Sequence, residues 1–202
     1  MNPPSSAPID NDALNRLFRD ARTFDVFQDR TVPDELLQAA YELARMGPTS
    51  ANCQPMRILF LRSAESRKQL APALSSTNRD KTLAAPVTAI IAHDLDFPAT
   101  LSQLYRVPGA DKWFSGEDLI AETAFRNGSL QGAYFMLAAR AVGLDVGPMS
   151  GFDNAKVDAT FFHSGDHASW RSNFICNLGF GDPTGLPSRD PRPDFADACS
   201  IL

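Results

Sequence analysis

Gly47-Pro48-Thr49-Ser50-Ala51-Asn52-Cys53-Gln54-Pro55 separates the first strong helical pattern of this 202-residue chain from its first β-branched run. Upstream, Leu36, Leu37, Ala40, Leu43 and Ala44 recur at helical spacing. That pattern starts near Pro33, with Asp34 and Glu35 favourably placed in the first turn. Gly47 is the expected C′ residue, and Pro48 stops the helix. Downstream, Ile58 to Leu61 reads as a buried strand. The nine-residue stretch holds one Gly, two Pro, the hydroxyls of Thr49 and Ser50 and the amides of Asn52 and Gln54, and no charge. Two readings stay open. It is a helix stop followed by a polar turn, or a wall of backbone N–H groups and short polar side chains facing a neutral, planar, heteroatom-rich ligand.

Working outward, residues 1–10 read as a loose, Pro-containing leader, expected to be flexible. A helix follows an Asn11/Asp12 cap, with Leu14, Leu17, Phe18 and Ala21 on one face. Beyond the first strand, Ser63 caps a short helix to about Leu70, and Val87 to Ala92 is the clearest second strand. Residues 94–117 have no sustained period and carry Phe97, Tyr105, Trp113 and Phe114, which suits a lid or a partner-contact segment. A long helix is expected from about Leu119 to Val142. Its many small residues, among them Ala124, Gly128, Gly132 and Ala139, suggest a central helix packed on all sides, a twin helix being one candidate neighbour. Gly143 ends it. Asp145 to Gly151 reads as a second Gly/Pro loop, a short helix carries Val157, Phe161 and Phe162, and Asn173 to Leu178 is a third strand before a Pro/Arg-rich tail. Helices flanking a few strands give an α+β or α/β sandwich, with residues 1–202 as one domain and no internal repeat.

Composition narrows the function classes. Hydrophobic content of 44% and charge of 21% are globular values. A net charge of −5 without a basic run argues against a nucleic-acid surface. Cys53, Cys176 and Cys199 are odd in number and far apart, so neither a disulfide framework nor a zinc site is expected; His163 and His167 make only a weak i, i+4 pair. No signal-peptide pattern and no run of about 18 apolar residues appears, so a cytoplasmic protein that spans no membrane is expected. GxSxG, HExxH, GxxxxGK[ST] and GxGxxG are all absent. Polar loops, scattered basic residues and aromatics remain, which suits an enzyme whose chemistry is lent by a cofactor.

Taken together, Arg22-Thr23, the 47–55 loop, Asn78-x-x-Lys81, Gly143-Leu144 with Gly147 to Phe152, and Arg192-Pro193 resemble the FMN-dependent nitroreductase family, in matching order over nearly the whole chain. Gly47 to Cys53, Thr123-Ala124-Phe125-Arg126-Asn127 and Gly147 to Asp153 are similar to its RutE/HadB-type branch, whose named member is a malonic semialdehyde reductase of pyrimidine degradation. The resemblance implies an α+β nitroreductase-like sandwich: a central, mostly antiparallel sheet flanked by helices, in an intertwined homodimer with FMN at the interface. Each FMN site would take residues from both chains.

The site residues follow by the same resemblance. Arg22 and Thr23 resemble the N-terminal phosphate pair, and a guanidinium beside a hydroxyl is a sensible phosphate clamp. Arg192 and Arg189 resemble the C-terminal phosphate ligands. Pro48, Thr49, Ser50 and Asn52 resemble the loop that reaches the flavin from the partner subunit, with Gln54 in support. Asn78 and Lys81, at i and i+3, would face one way from a helical turn and meet the polar pyrimidine edge of the flavin, where a cation stabilises the reduced form. Pro148, Met149, Ser150 and Gly151 resemble the loop beside flavin N5, although Met149 equally suits core packing. Trp113 and Phe114 suit a cover over the substrate face or packing within a lid. Two positions depart from the family pattern: Ala21 stands where many relatives have a further Arg, and Asp25 where many have a basic residue. No metal is implied. The implied activity is a ping-pong NAD(P)H oxidoreductase: NADH or NADPH gives hydride to flavin N5 and leaves, and an acceptor then enters the same space. The branch points to malonic semialdehyde (3-oxopropanoate), reduced to 3-hydroxypropanoate. A general nitroaromatic or quinone reductase, and a non-catalytic flavin-binding protein, are the alternatives.

Overall fold

Four strands form one sheet in the order β1-β2-β4-β3, antiparallel throughout: β1 Met56–Leu61, β2 Val87–Asp94, β3 Asp145–Met149 and β4 Trp170–Gly179. The computed structural model describes residues 7–202. The expected leader falls partly outside these, since residues 1–6 are not among the described residues; Ala7 to Asp10 are exposed.

Every residue of β2 is buried, because helices cover the sheet on both sides. Alternate side chains therefore enter two different cores. Val87, Ala89 and Ile91 join Met56, Val146, Cys176 and Leu178 beneath α2 (Asp34–Ala44) and the long helix Glu117–Ala141. Ile90 and Ala92 join Leu61, Met149 and Ile175 beneath the helices of the other face. Burying a side chain such as Ile90 contributes about 1.5–3 kcal/mol.

The remaining helices, in chain order, are α1 (Asn11–Leu14, continued by a π turn through Arg19), α3 (Ala64–Leu70), α4 (Ser76–Ala84), α5 (Leu101–Leu104), α6 (the long helix Glu117–Ala141), α7 (Asn154–Phe161) and α8 (Phe195–Ala198). Asp10 caps α1, its carboxylate accepting from Ala13 N at 2.7 Å, one position ahead of the expected Asn11/Asp12 cap. Ser63 caps α3 as expected, its hydroxyl accepting from Ser66 N at 3.0 Å. Residues 94–117 hold α5 between two 3-10 turns, with Phe97 and Leu101 buried against Cys53 and Ala124.

Two expectations need correction. Asp145 to Met149 is a strand, not part of a loop. Pro148 is tolerated because β3 lies at the sheet edge, where a missing N–H leaves no unpaired neighbour. Gly47 does not close α2 as a left-handed C′ residue; the helix ends at Ala44 and Gly47 lacks positive φ. Its place is steric: a Cβ there would stand 2.8 Å from the Tyr134 ring. Gly143, by contrast, takes φ +98° just past α6, as an αL cap requires. Small residues of α6 are packed on its inward side within one chain. Gly128 and Gly132 lie on the sheet, Ala139 joins the core shared with α2, and Ala124 packs on Phe97, Leu101 and Cys53, while Leu119, Phe125, Leu130 and Tyr134 are exposed on the flank left open within one chain.

Candidate functional site

The expected site residues gather at the two opposite edges of the sheet. At the β3 edge, residues 23–28 run beside the strand. Thr23 bridges Val146, Phe24 N donates to Val146 O at 3.0 Å, and Phe27 bridges Gly181. Gly147 makes this possible: a Cβ there would lie 2.3 Å from the Phe24 carbonyl oxygen.

This register places Arg22 and Thr23 on one wall of a cavity of about 510 Å³. The tail forms the opposite wall through Pro187, Arg189 and Arg192. Arg22 donates to the Pro187 carbonyl. Arg189 donates to the carbonyls of Arg19 and Ala21 at 2.8 and 2.7 Å, so it fastens the tail across the end of the first helix. Arg192 bonds only the carbonyls of Asp190 and Pro191, on its own turn of chain. The guanidiniums of Arg22, Arg189 and Arg192 and the Thr23 hydroxyl thus line one cavity, together with Arg140. Asp182 also lines it, and hydrogen bonds from the Thr184 hydroxyl and N–H hold its carboxyl below the usual range.

Next to this cavity, α4 carries Asn78 and Lys81 on one face. Asn78 is buried and its amide donates to the Gly151 carbonyl at 3.0 Å. Ser75 N donates to the same oxygen at 3.0 Å. Asn78 is therefore a brace for the 148–151 turn. Met149 is buried in the core, where Thr82 Oγ1 donates to its sulfur at 3.5 Å. Pro148 is partly buried, and Ser150 and Gly151 are exposed. Lys81 borders a second cavity, of about 430 Å³.

At the β1 edge stands the 47–55 loop. Ala51, Asn52 and Gln54 have φ of 49°, 51° and 44°, the positive-φ non-glycine residues of the described chain. Left-handed backbone costs about 1–2 kcal/mol at a residue with a side chain. Buried amides from α6 hold it in place. Asn127 Oδ1 accepts from Ser50 N at 2.9 Å, and Gln131 Oε1 accepts from Met56 N at 2.9 Å while its amide donates to Gln54. Thr49 Oγ1 accepts from Gln54 N at 3.2 Å, and Asn52 donates to the Leu104 carbonyl at 2.8 Å. Pro48 and Asn52 face a cavity of about 590 Å³ shared with Tyr41, Arg57 and Gln103. Cys53 is no nucleophile: burial pushes its thiol up to about 11. Trp113 is half-exposed and meets Tyr105 edge-on at 5.9 Å; Phe114 meets Phe97 at 5.1 Å.

Within one chain, then, Arg22, Thr23, Arg189 and Arg192 come together, with Asn78, Lys81 and Gly151 beside them. Pro48, Thr49, Ser50 and Asn52 do not join them, because β2 and β4 lie between the two edges. The sequence reading missed Asn127 and Gln131 as supports. The available signal was their i, i+4 spacing on the small-residue face of α6, where a buried amide needs a partner.

Comparison with known proteins places this arrangement. A structure from Exiguobacterium sibiricum, described as a nitroreductase in complex with FMN, superposes with a TM-score of 0.83 at 19% identity, over 98% of this chain and 100% of that one. A structure from Staphylococcus epidermidis, described as an NAD(P)H:FMN oxidoreductase, gives 0.77 at 19% identity, over 98% and 99%. The fold is therefore nitroreductase-like. The profile of the Nitroreductase family matches residues 18–180. A Stutzerimonas stutzeri protein, provisionally named NADH dehydrogenase/NAD(P)H nitroreductase, is 53% identical over 196 residues, 96% of this chain and 98% of its own. The chain belongs to the Nitroreductase family. Among the described residues no helix is long and apolar enough to cross a membrane, and no cluster of metal-ligating side chains occurs.

Proposed function

We propose that the chain is an FMN-dependent NAD(P)H oxidoreductase. The observation that carries this reading is the convergence of Arg22, Thr23, Arg189 and Arg192 on one cavity, next to the Lys81 face of α4. The donor set suits FMN: guanidiniums and a hydroxyl for a phosphate, an ammonium for the pyrimidine edge, and an exposed turn at Ser150-Gly151 that lets a planar ring approach backbone. When bound, FMN accepts hydride from NAD(P)H and returns two electrons to an acceptor.

The chain's own residues bind and orient. Arg22 and Arg192 hold the phosphate, Arg189 fastens the tail that carries Arg192, and Asn78 fixes the 148–151 turn. The β1-edge loop, with Pro48, Thr49, Ser50 and Asn52, serves the site of a second copy. A homodimer is supported by the exposed apolar flank of α6 with Met46 and Leu43 of the α2 end, and by the separation of the two edges.

For the acceptor we propose 3-oxopropanoate, reduced with NAD(P)H and a proton to 3-hydroxypropanoate, from the likeness to the RutE/HadB-type branch. The nitroreductase names of the relatives favour nitroaromatics as the second reading. Purified protein should be yellow, or turn yellow with added FMN, and NADH or NADPH should bleach it. A colourless protein that takes up no FMN overturns the class. A negligible rate with 3-oxopropanoate beside a fast one with nitrofurazone or a quinone overturns the acceptor alone.

A further inference from the structure

Asp25, Asp182 and Asp190 line the arginine cavity, and Asp25 is the one of the three that also borders the cavity of Lys81. It borders both the cavity of about 510 Å³, lined by Arg22, Arg189 and Arg192, and the cavity of about 430 Å³, lined by Lys81. A carboxylate there repels a phosphate, so it is no ligand for one. Its partner is Lys81, whose Nζ donates to Asp25 Oδ1 at 2.9 Å. Asp80 lines the smaller cavity too, but Asp25 is the carboxylate within ion-pair distance of Lys81.

Most ion pairs between mobile surface side chains contribute little, because ordering two long chains costs entropy. Here the backbone on both sides is already fixed. Residues 23–28 are tied by the Thr23–Val146 and Phe27–Gly181 bridges, by Phe24 N to Val146 O at 3.0 Å, by Asp182 N to Val26 O at 3.0 Å and by Gln28 N to Phe180 O at 2.8 Å. Helix α4 is tied to the 148–151 turn through Asn78, one turn before Lys81. The Lys81 side chain is 23% exposed and that of Asp25 65%, so the pair is buried at the lysine end and open to solvent at the carboxylate. The pair is therefore a placed feature of the site.

The geometry points to Asp25 as a positioning residue that offsets the charge of Lys81 and so sets how strongly this site favours reduced over oxidised FMN. The inference rests on the FMN reading above. A lone ammonium beside the pyrimidine edge stabilises the reduced, more electron-rich ring. An ammonium with a carboxylate at 2.9 Å presents a nearly neutral dipole and stabilises it less. The expected pattern has three parts. Asp25→Asn raises the FMN reduction potential, Lys81→Met lowers it, and the double variant returns close to the parent because the pair carries no net charge. Asp25→Glu, which keeps the pair, stays with the parent.

The test uses full-length protein loaded with FMN. Potentials are read by equilibration with a reference dye, and FMN dissociation constants by fluorescence. Asp25→Asn should change the ratio of reduced- to oxidised-FMN affinity about two- to fivefold, the range of a partly exposed pair. An unchanged or lowered potential in Asp25→Asn overturns the inference, as does a double variant displaced as far as Lys81→Met. Failure of the parent protein to bind FMN is a separate result, and it removes the flavin reading itself.

Discussion

The two edges of the sheet are built by opposite means. At the β1 edge, the 47–55 loop is held in left-handed backbone by buried amides of α6, so its shape exists before any ligand arrives. At the β3 edge, the tail from Pro183 onward is largely exposed and lies over Arg22 through a few arginine-to-carbonyl bonds. On the proposed reading, rigidity falls on the side that serves the flavin of a second copy by shape. The charged side is the adjustable one, as the proposed phosphate clamp allows, because a guanidinium holds a phosphate without exact placement of the chain. Strain at Ala51 and Gln54 persists only because their surroundings over-determine it.

The largest test of this contrast is Arg22→Ala. It should weaken FMN binding about 100-fold while leaving the far-ultraviolet circular dichroism unchanged, since the Arg22 bond to Pro187 supports only the exposed tail. Gln131→Ala should act on stability instead. It strands Met56 N and Gln54 Oε1 and should cost about 2–3 kcal/mol in urea unfolding. If Arg22→Ala unfolds the protein and Gln131→Ala does not, the two edges have been assigned the wrong way round.

A smaller effect is set by pH. His93 is buried beside α6, with Phe125 edge-on at 5.7 Å and Nδ1 without a hydrogen-bond partner. Burial lowers its pKa below 6.5; Asp158 and Asp94 counter this and Arg171 adds to it. Above 6.5 both folded and unfolded states hold it neutral and it contributes nothing. As pH falls below 6.5 the unfolded state takes up the proton first, so stability should decline by at most about 1.4 kcal/mol per pH unit until the folded value is reached. His93→Gln should remove that part of the slope in melts between pH 7 and 5. The smallest effect is Ala51→Gly, which relieves a φ of 49° and should stabilise the chain by about 1 kcal/mol. A loss of stability there would mean that the loop is not strained.

Much of this was legible in the sequence because the signals are local. The apolar runs marked β1, β2 and β4, a 3.6-residue stripe marked α2, a long small-residue stretch marked α6, and Ser63 and Gly143 marked helix ends. Where the signal was ambiguous, tertiary context decided. Gly147-Pro148 reads as a turn, yet an edge strand tolerates both, and Gly147 is needed so that Phe24 can approach. The clamp on the 47–55 loop was hidden because Asn127 and Gln131 stand more than seventy positions from the groups they bond. Asp25 registered only as a departure from a pattern, since its partner Lys81 lies 56 residues away.

The central claim is that a complete site needs the β3 edge of one copy and the β1-edge loop of another. Co-expression of two differently tagged variants tests it: Arg22→Ala, and Thr49→Glu with Ser50→Glu, purified as the mixed dimer. Each variant alone should bind FMN poorly. The mixed dimer pairs the intact clamp of one chain with the intact loop of the other, and it should regain one tight FMN site. A mixed dimer that binds FMN no better than either parent would contradict the account.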